Sequence, residues 1–326
     1  MKADIYIPTA NNTRALTECL DSLQTQTYKD FSVILVGIKK NKNISELIKK
    51  YTDLDINYLV QSAPGLVQAA QDAFNISTSD VFIRIDDDVV TQPDWLQNII
   101  NIFSKESDVG GVTGPTLTSQ EGRKSRDLFL FFEKTRKSSN LFWKLVNKIY
   151  IQYIYENRLY DIGHFMRSGA FTLGSNFETS LTLKQPIEVD NLEACNMAIR
   201  SSLLKQFGGF DLIFNRGLGE YHEADIAYKI KKAGYKVIFS SKVRLQHKVE
   251  TTETASKPRA DAFHRISNFI IFYKRHIGIR NPDYLARFLT NVCFQNAYYG
   301  YKFLTTGDWH QLGALAGTIY GLLKPA

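Results

Sequence analysis

Hydrophobic residues alternate between short continuous runs and helical spacings in the first part of the chain. Continuous apolar runs predict buried strands at residues 31–36 and 81–85, and shorter strands are predicted at residues 4–8 and 56–60. Apolar residues three or four positions apart predict intervening helices at residues 14–26, 44–51 and 67–74. Because strands that alternate with helices are typical of a parallel sheet, the pattern predicts an α/β fold.

The second half of the chain continues this pattern less regularly. Further strands are predicted at residues 109–115, 189–200 and 236–243. Further helices are predicted at residues 93–103, 201–207 and 265–275, and one more carries Ile226, Ile230 and Ala233. Residues 312–323 are apolar but too short to span a bilayer, so helix packing, oligomerisation and interfacial docking all remain open for them.

Three adjacent carboxylates, Asp86, Asp87 and Asp88, follow the predicted strand at residues 81–85. Adjacent carboxylates repel each other and Asp disfavours strands, so folding alone does not explain them. A hard divalent cation such as Mg2+ or Mn2+ would offset their charge. The carboxyl end of a central strand is also where open α/β sheets bind ligands. We therefore expect a metal site here, with a solvated acidic turn as the alternative.

A second acidic group lies at the start of the helix that carries Ile226. Capping of a helix N-terminus explains one or two of Glu220, Glu223 and Asp225, but not all three. His247 follows the predicted strand at residues 236–243, and both a structural role and metal ligation are open for it.

Composition and charge narrow the classes of partner. The chain has 326 residues, 44% hydrophobic and 22% charged, which is ordinary for a globular protein. A formal net charge of +7 favours acidic partners, but no nucleic-acid-binding motif accompanies it. Three widely spaced cysteines fit neither a disulfide framework nor a zinc site. With no signal-peptide pattern and no run long enough to span a bilayer, we expect a cytoplasmic protein, either free or at the cytoplasmic face of a membrane.

Aromatic and basic residues interleave between residues 123 and 160. One interpretation is a pair of packed helices with Lys and Arg on the solvated face. The other is an interfacial segment that contacts an anionic membrane or a lipid-linked substrate. The stretch that follows, residues 163–185, is polar and contains glycine, which predicts a loop over a site.

Four motifs together resemble the family-2 glycosyltransferases of the GT-A fold. They are Ile5-Tyr6-Ile7-Pro8-Thr9, the Asp-rich strand end, Asn196-Met197-Ala198-Ile199-Arg200 with Gly208-Gly209-Phe210-Asp211, and Glu223-Ala224-Asp225 before Ala233-Gly234-Tyr235. The similarity covers residues 3–250. It implies a Rossmann-like, mostly parallel sheet flanked by helices, with a C-terminal helical extension.

The resemblance also implies site residues. Asp86 and Asp88 would bind Mn2+ or Mg2+ together with the donor diphosphate, and His247 would be a further metal ligand. Glu223 or Asp225 would be the catalytic base. The expected contacts to the nucleotide sugar are Pro8, Thr9, Asn11, Arg14, Gly65, Asp86, Asp87, Asp88 and Asn196. The chain departs from the family pattern in two places: residues 36–40 contain no acid, and His222-Glu223 replaces the usual Glu-Asp pair.

This chemistry is coherent. A divalent cation stabilises the leaving diphosphate as a Lewis acid, and a carboxylate deprotonates the acceptor hydroxyl. One base opposite the leaving group gives inversion. We expect a nucleotide-diphosphate sugar donor, with a UDP-sugar favoured, a glycan or lipid-linked glycan acceptor, and no nucleic-acid partner; oligomerisation is left open. The alternatives are an inactive nucleotide-sugar-binding scaffold and a sugar-phosphate nucleotidyltransferase.

The expected domain organisation follows the same resemblance. A catalytic domain would span residues 1–255, with a nucleotide-sugar-binding half at residues 1–118 and an acceptor-binding, catalytic half at residues 188–255. Residues 119–187 would form an aromatic and basic helical insertion with a loop. Residues 256–326 would be a C-terminal helical region.

Overall fold

A computed structural model describes residues 1–10, 12–118, 135–176, 178–248 and 262–325. The chain forms two compact units. Unit 1 contains Met1–Leu117 and Glu178–Glu250, and unit 2 contains Thr118–Phe177 and Thr251–Ala326. The predicted insertion and the predicted C-terminal region thus contribute to the same unit. Asn11 and residues 123–134 of the aromatic and basic segment lie outside the described residues.

The elements are numbered along the chain. The strands are β1 (Ala3–Thr9), β2 (Phe31–Gly37), β3 (Ile56–Val60), β4 (Val81–Ile85), β5 (Val89–Thr91), β6 (Val109–Thr113), β7 (Thr116–Thr118), β8 (Ile187–Glu188), β9 (Asn196–Arg200), β10 (Lys236–Phe239) and β11 (Leu245–His247). The α-helices are α1 (Thr13–Gln24), α2 (Lys42–Ile48), α3 (Leu66–Ile76), α4 (Trp95–Lys105), α5 (Leu141–Lys148), α6 (Glu178–Leu181), α7 (Ser201–Gln206), α8 (His222–Lys232), α9 (Ala262–Phe272), α10 (Pro282–Thr306) and α11 (Gly313–Leu323).

Unit 1 is built on an eight-stranded sheet of order β3-β2-β1-β4-β9-β6-β10-β8. Strand β1 pairs in parallel with both β2 and β4, and β6 pairs in parallel with β10. Strand β9 runs antiparallel between β4 and β6, and β8 is antiparallel to β10. The prediction of a mostly parallel sheet flanked by helices is confirmed.

The core of unit 1 follows directly from the apolar runs. All five residues of β4 are buried, as a strand covered on both faces requires. Leu16, Leu20 and Leu23 of α1 lie in the same hydrophobic cluster as the apolar residues of β1 and β4. The apolar side of α1, which forms where a helix was predicted, therefore packs against the sheet.

The strand predicted at residues 236–243 is shorter than expected. It ends at Phe239, because Val243 N–H donates to the carbonyl of Ser240 at 3.0 Å and closes a turn. The chain then re-enters a small sheet of order β5-β11-β7. His247 is consequently the last residue of β11 and pairs with Val89 of β5, rather than lying free beyond a longer strand.

Unit 2 joins two distant segments of the chain. Arg167 bonds to Glu156 at 2.8 Å and to Asp283, at the start of α10, at 2.7 Å. The guanidinium of Arg287 lies over the ring of Tyr153, 4.5 Å from its centroid. Helix α5 continues into a π-helical turn at Ile149–Ile154, and this turn contributes to a hydrophobic cluster that includes Tyr150 and Tyr155. In the described part of the chain, the helices are too short or too polar to cross a membrane.

Candidate active site

The carboxyl end of β4 brings two of the predicted carboxylates together with His247. Beyond Ile85 the chain turns, with Val89 N–H 3.3 Å from the carbonyl oxygen of Asp86. One ligand atom each from Asp86, Asp88 and His247 lie within 4.8 Å of one another. Two carboxylates and an imidazole form a donor set that suits a divalent cation.

His247 reaches this group through strand pairing. Because its partner in the ladder is Val89, His247 lies beside Asp88, and its Nε2 is 2.9 Å from Asp88 Oδ1. Its Nδ1 lies 3.7 Å from the sulfur of Cys195. Burial lowers the pKa of His247, but Cys195 and Asp88 outweigh that effect and raise it to about 11. A cation bound by Nε2 of His247 would therefore replace the proton on that atom.

Asp87 points toward β1 instead. Its Oδ2 accepts a hydrogen bond from the Thr9 hydroxyl at 2.7 Å. Burial, together with the neighbouring Asp88 and Asp86, raises the pKa of Asp87 to about 7. This pair ties together the carboxyl ends of two adjacent parallel strands, and Pro8 precedes Thr9 in β1.

A buried arginine connects the carboxylates to the start of α8. Arg84 of β4 is 2% exposed, and its guanidinium lies 3.2 Å from Asp86 Oδ1 and 2.5 Å from His222 Nε2. A guanidinium only donates hydrogen bonds, so Nε2 must accept and Nδ1 of His222 carries the hydrogen. Nδ1 in turn faces the Gly219 carbonyl at 2.5 Å and Glu223 Oε2 at 2.9 Å.

These neighbours keep Glu223 ionised. Burial raises the pKa of Glu223, but His222 and Arg84 overcome that effect and hold it below its ordinary range. The turn before α8 is conformationally demanding, because Tyr221 has a φ of 74°, which is unusual for a residue with a side chain. Backbone strain of this kind concentrates where a fold fixes a functional side chain.

The second candidate base, Asp225, has a different environment. Its side chain is 1% exposed, whereas that of Glu223 is 19% exposed. Asp225 Oδ2 lies 2.7 Å from the ammonium group of Lys229, one turn along α8. The helix thus uses Asp225 in an internal ion pair and leaves Glu223 partly exposed.

Three of the residues predicted to contact the nucleotide sugar, Arg14, Gly65 and Asn196, differ in their exposure and in their neighbours within the protein. Arg14 is exposed on α1 and lies 3.8 Å from Glu18. Gly65, with a φ of +129°, has no room for a side chain, because a Cβ there would lie 1.9 Å from Asn215 Oδ1. Asn196 is 1% exposed, and its amide bonds to Trp95 at 3.1 Å and to the carbonyls of Gly114 and Val243 at 3.1 and 2.7 Å. The side chain of Asn196 therefore holds the interior together.

Sequence patterns did not reveal Arg84, Asn215 or Cys195 as part of this region. Arg84 stands inside an apolar run, and its partner His222 is 138 positions away. Asn215 accepts from Gln68 N–H at 3.1 Å and donates to the Pro64 carbonyl at 3.0 Å, so it supports the start of α3 from a distant loop. A charged residue within a buried strand was the one available signal, because such a charge requires a partner.

Comparison with known proteins places this site in a family. Residues 4–176 match the family model "Glycosyl transferase family 2". The chain therefore belongs to glycosyltransferase family 2. The match covers β1, the Asp86–Asp88 turn and the first of the two segments of unit 2 up to residue 176.

A sequence relative and two solved structures are consistent with this assignment. The chain is 21% identical over 257 residues to a glucosyl-dolichyl phosphate glucuronosyltransferase of Haloferax volcanii, which covers 76% of this chain and 70% of the relative. A mannosyltransferase of Pyrobaculum calidifontis, solved with GDP-Man and Mn2+, has a TM-score of 0.55 at 15% identity over 100% of this chain and 76% of that one. TarS 1–349 of S. aureus, solved with UDP-GlcNAc, has a TM-score of 0.59 at 12% identity over 98% and 81%.

The predictions of a GT-A fold and of a glycosyltransferase enzyme are thus confirmed. The fold places the Asp86, Asp88 and His247 group at the carboxyl end of a central strand. The donor, the acceptor and the stereochemical course are matters of proposal.

Proposed function

We propose that this protein is an inverting glycosyltransferase that moves a sugar from a nucleotide-diphosphate sugar to a hydroxyl group. The observation that carries this proposal is the convergence of Asp86, Asp88 and His247, whose ligand atoms lie within 4.8 Å, in a chain of this family. A cation held there would act as a Lewis acid toward the donor diphosphate. The imidazole ligand favours Mn2+ over Mg2+, because Mg2+ prefers oxygen ligands alone.

Glu223 is proposed as the general base. Its side chain is partly exposed, stays ionised, and lies against His222, which itself contacts Arg84. Asp225 is the weaker candidate, because it is buried against Lys229. A base on the face opposite the leaving group gives a single displacement with inversion.

Thr9 and Asp87 are proposed to line the donor site, with Pro8, Gly65 and Arg14 near the nucleotide. Thr9 and Asp87 bond to each other at the carboxyl ends of β1 and β4, where open α/β sheets bind ligands. A UDP-sugar is the favoured donor, although the two nucleotides named for the solved relatives are GDP and UDP. The division of residues 1–118 and 188–255 into donor and acceptor halves is part of this proposal.

The acceptor is proposed to be a glycan or a lipid-linked glycan. The name of the Haloferax relative includes a dolichyl phosphate sugar, which is a lipid-linked glycan. Cys19, Cys195 and Cys293 are free thiols, which suits a reducing compartment, and we propose that the reaction takes place on the cytoplasmic side of a membrane.

Calorimetric titration of nucleoside diphosphates, with Mn2+ or with EDTA, tests the donor site. We expect binding to wild type that requires Mn2+ and is lost in Asp88→Ala, because that substitution removes a ligand. The control is Asp53→Ala, which removes an exposed carboxylate from a turn. This variant should bind nucleoside diphosphates in the presence of Mn2+ as wild type does. Equal affinity with EDTA, or in Asp88→Ala, would refute the proposed metal site.

Hydrolysis of the donor in the absence of acceptor separates an enzyme from an inactive scaffold. Slow, Mn2+-dependent release of the nucleoside diphosphate from a UDP-sugar or GDP-sugar is expected for a transferase. Tight, metal-dependent nucleotide binding with no turnover of any sugar donor would favour the scaffold.

A further inference from the structure

Helix α11 packs with its small residues inward and its large apolar residues outward. The buried positions are Ala314, Gly317, Thr318 and Gly321. A Cβ at Gly317 would lie 2.3 Å from the carbonyl oxygen of Phe263 in α9, so the two helix backbones approach closely there. Since glycine alone permits this approach, the inward face of α11 is already fully occupied by unit 2 itself.

The outward face of α11 consists of large apolar side chains at helical spacing. It comprises Leu312, Leu315, Ile319, Leu322 and Leu323, which we call the C-terminal apolar face. Leu315 is 64% exposed, Ile319 54% and Leu323 79%. Scattered exposed leucines are normal, but a complete helical face of them marks an interaction surface.

The neighbouring helix α10 also has exposed apolar side chains, near its two ends. It bonds to α11 through Asn296 and Thr318, at 2.9 Å. Its own exposed apolar side chains are Leu285, Leu289, Tyr301 and Leu304. Trp309, in the turn between the two helices, is 74% exposed. Large aromatic rings with a polar edge are enriched at membrane–water interfaces.

Lysines lie beside the exposed apolar residues of these helices. They are Lys302 and Lys324, whereas the two acids, Asp283 and Asp308, lie at the start of α10 and just after its end, and Asp283 is paired with Arg287. Helix α5 of the same unit carries Lys144 and Lys148 beside exposed Leu141, Phe142 and Leu145. An apolar helix face flanked by lysines is typical of helices that lie in the plane of an anionic bilayer surface.

We propose that the C-terminal apolar face and the exposed side of α10 form a docking surface for an anionic lipid bilayer. The helices lie in the headgroup region and do not cross the membrane, in line with the absence of a spanning helix from the described residues. A second copy of the chain is the less favourable occupant, because a symmetric interface would bring together two surfaces that each carry Lys302 and Lys324. The inference is independent of the proposed function, although it would bring the enzyme to the leaflet that holds a lipid-linked acceptor.

Sedimentation with vesicles of phosphatidylcholine, with and without phosphatidylglycerol, tests this surface. Wild type should bind the vesicles that contain phosphatidylglycerol. A variant with Leu315→Ser, Ile319→Ser and Leu322→Ser should bind them more than about tenfold less tightly, because it loses the inserted apolar area. The replaced side chains are exposed, so the thermal midpoint should stay close to that of wild type.

A matched control replaces exposed apolar residues of unit 1. Val60→Ser, Ile76→Ser and Leu212→Ser together should leave vesicle binding unchanged. Lys302→Gln and Lys324→Gln should each weaken binding to the anionic vesicles by about fivefold at low salt.

Two results would overturn the proposal. One is wild type that stays in solution with both kinds of vesicle. The other is wild type that elutes as an oligomer by light scattering and becomes monomeric when the C-terminal apolar face is changed, since that face would then join two copies of the chain. The calorimetric test of metal-dependent nucleotide binding is a separate measurement, and its outcome does not depend on either of these results.

Discussion

Arg84 is the residue on which the geometry of the candidate site depends most. It places one fixed positive charge between Asp86 and the imidazole of His222. A buried charge that loses its partners is strongly destabilising, so Arg84, Asp86 and His222 support one another. His222 Nδ1 bonds to the Gly219 carbonyl and lies 2.9 Å from Glu223 Oε2, and His222 therefore acts as a positioning residue for Glu223.

Separate substitution of the two acids in α8 distinguishes the base. Glu223→Gln keeps the shape of the side chain and removes the proton acceptor, so kcat should fall by about 10²–10⁴-fold while nucleotide binding persists. Asp225→Asn removes the partner of Lys229 and should lower the thermal midpoint, with a smaller loss of kcat. Steady-state kinetics and thermal unfolding of both variants check this. A large loss of kcat in Asp225→Asn alone would assign the base to Asp225.

The pH dependence of kcat/KM reports the role of His222. Because the pKa of Glu223 is held below its ordinary range, the base stays ionised well into acid. His222→Leu removes the donor, so the pKa of Glu223 should rise and the acidic limb should move to higher pH.

His222→Gln is the matched control for this prediction. Its amide can accept from Arg84 and donate to Glu223, and the acidic limb should stay near that of wild type. An acidic limb that is the same in wild type and His222→Leu would show that His222 does not act on Glu223.

Among the secondary-structure elements, β6 shows how close packing constrains the sheet. A Cβ at Gly110 would lie 2.6 Å from Leu203 of α7 and 2.7 Å from Ile230 of α8. The two helices therefore rest directly on the strand, and the glycine has a packing role.

Gly110→Ala should destabilise the protein by about 1–3 kcal/mol through overpacking. Gly300→Ala in α10 is the matched control, since an added Cβ there meets nothing within 4 Å. It should be neutral or stabilising by up to about 1 kcal/mol, because alanine favours helix. Urea unfolding of both variants measures these changes, and equal midpoints would contradict the packing argument.

Local sequence patterns predicted the strands and helices better than they predicted the contacts between residues that are distant in the chain. The Asp86–Asp88 turn could be placed from sequence because a buried strand and its polar end are adjacent in the chain. The position of His247 could not, because it depends on the turn at Ser240 and on pairing with Val89, and neither leaves an apolar pattern. Asn196 was predicted to contact the donor, but its amide bonds to groups from three other parts of the chain.

At the scale of the whole molecule, metal binding should be coupled to stability. A cation that binds the folded Asp86, Asp88 and His247 group, and not the unfolded chain, stabilises by about 2.7 kcal/mol at a hundredfold excess over Kd. Mn2+ should therefore raise the thermal midpoint of wild type and of Asp53→Ala, and leave Asp88→Ala unchanged. Differential scanning fluorimetry with Mn2+ and with EDTA measures this, and an equal rise in all three proteins would place the bound cation elsewhere.

Each of the two units is made from two separate stretches of chain, and the backbone passes from one unit to the other three times. This route has a practical consequence for shortened versions of the protein. A cut after residue 255, which the sequence motifs suggest as the edge of a catalytic domain, would not release an intact unit. It would leave Arg167 and Tyr153 in place while removing Asp283 and Arg287, their partners in α10. Neither unit can be expressed alone as one uninterrupted fragment of the natural chain.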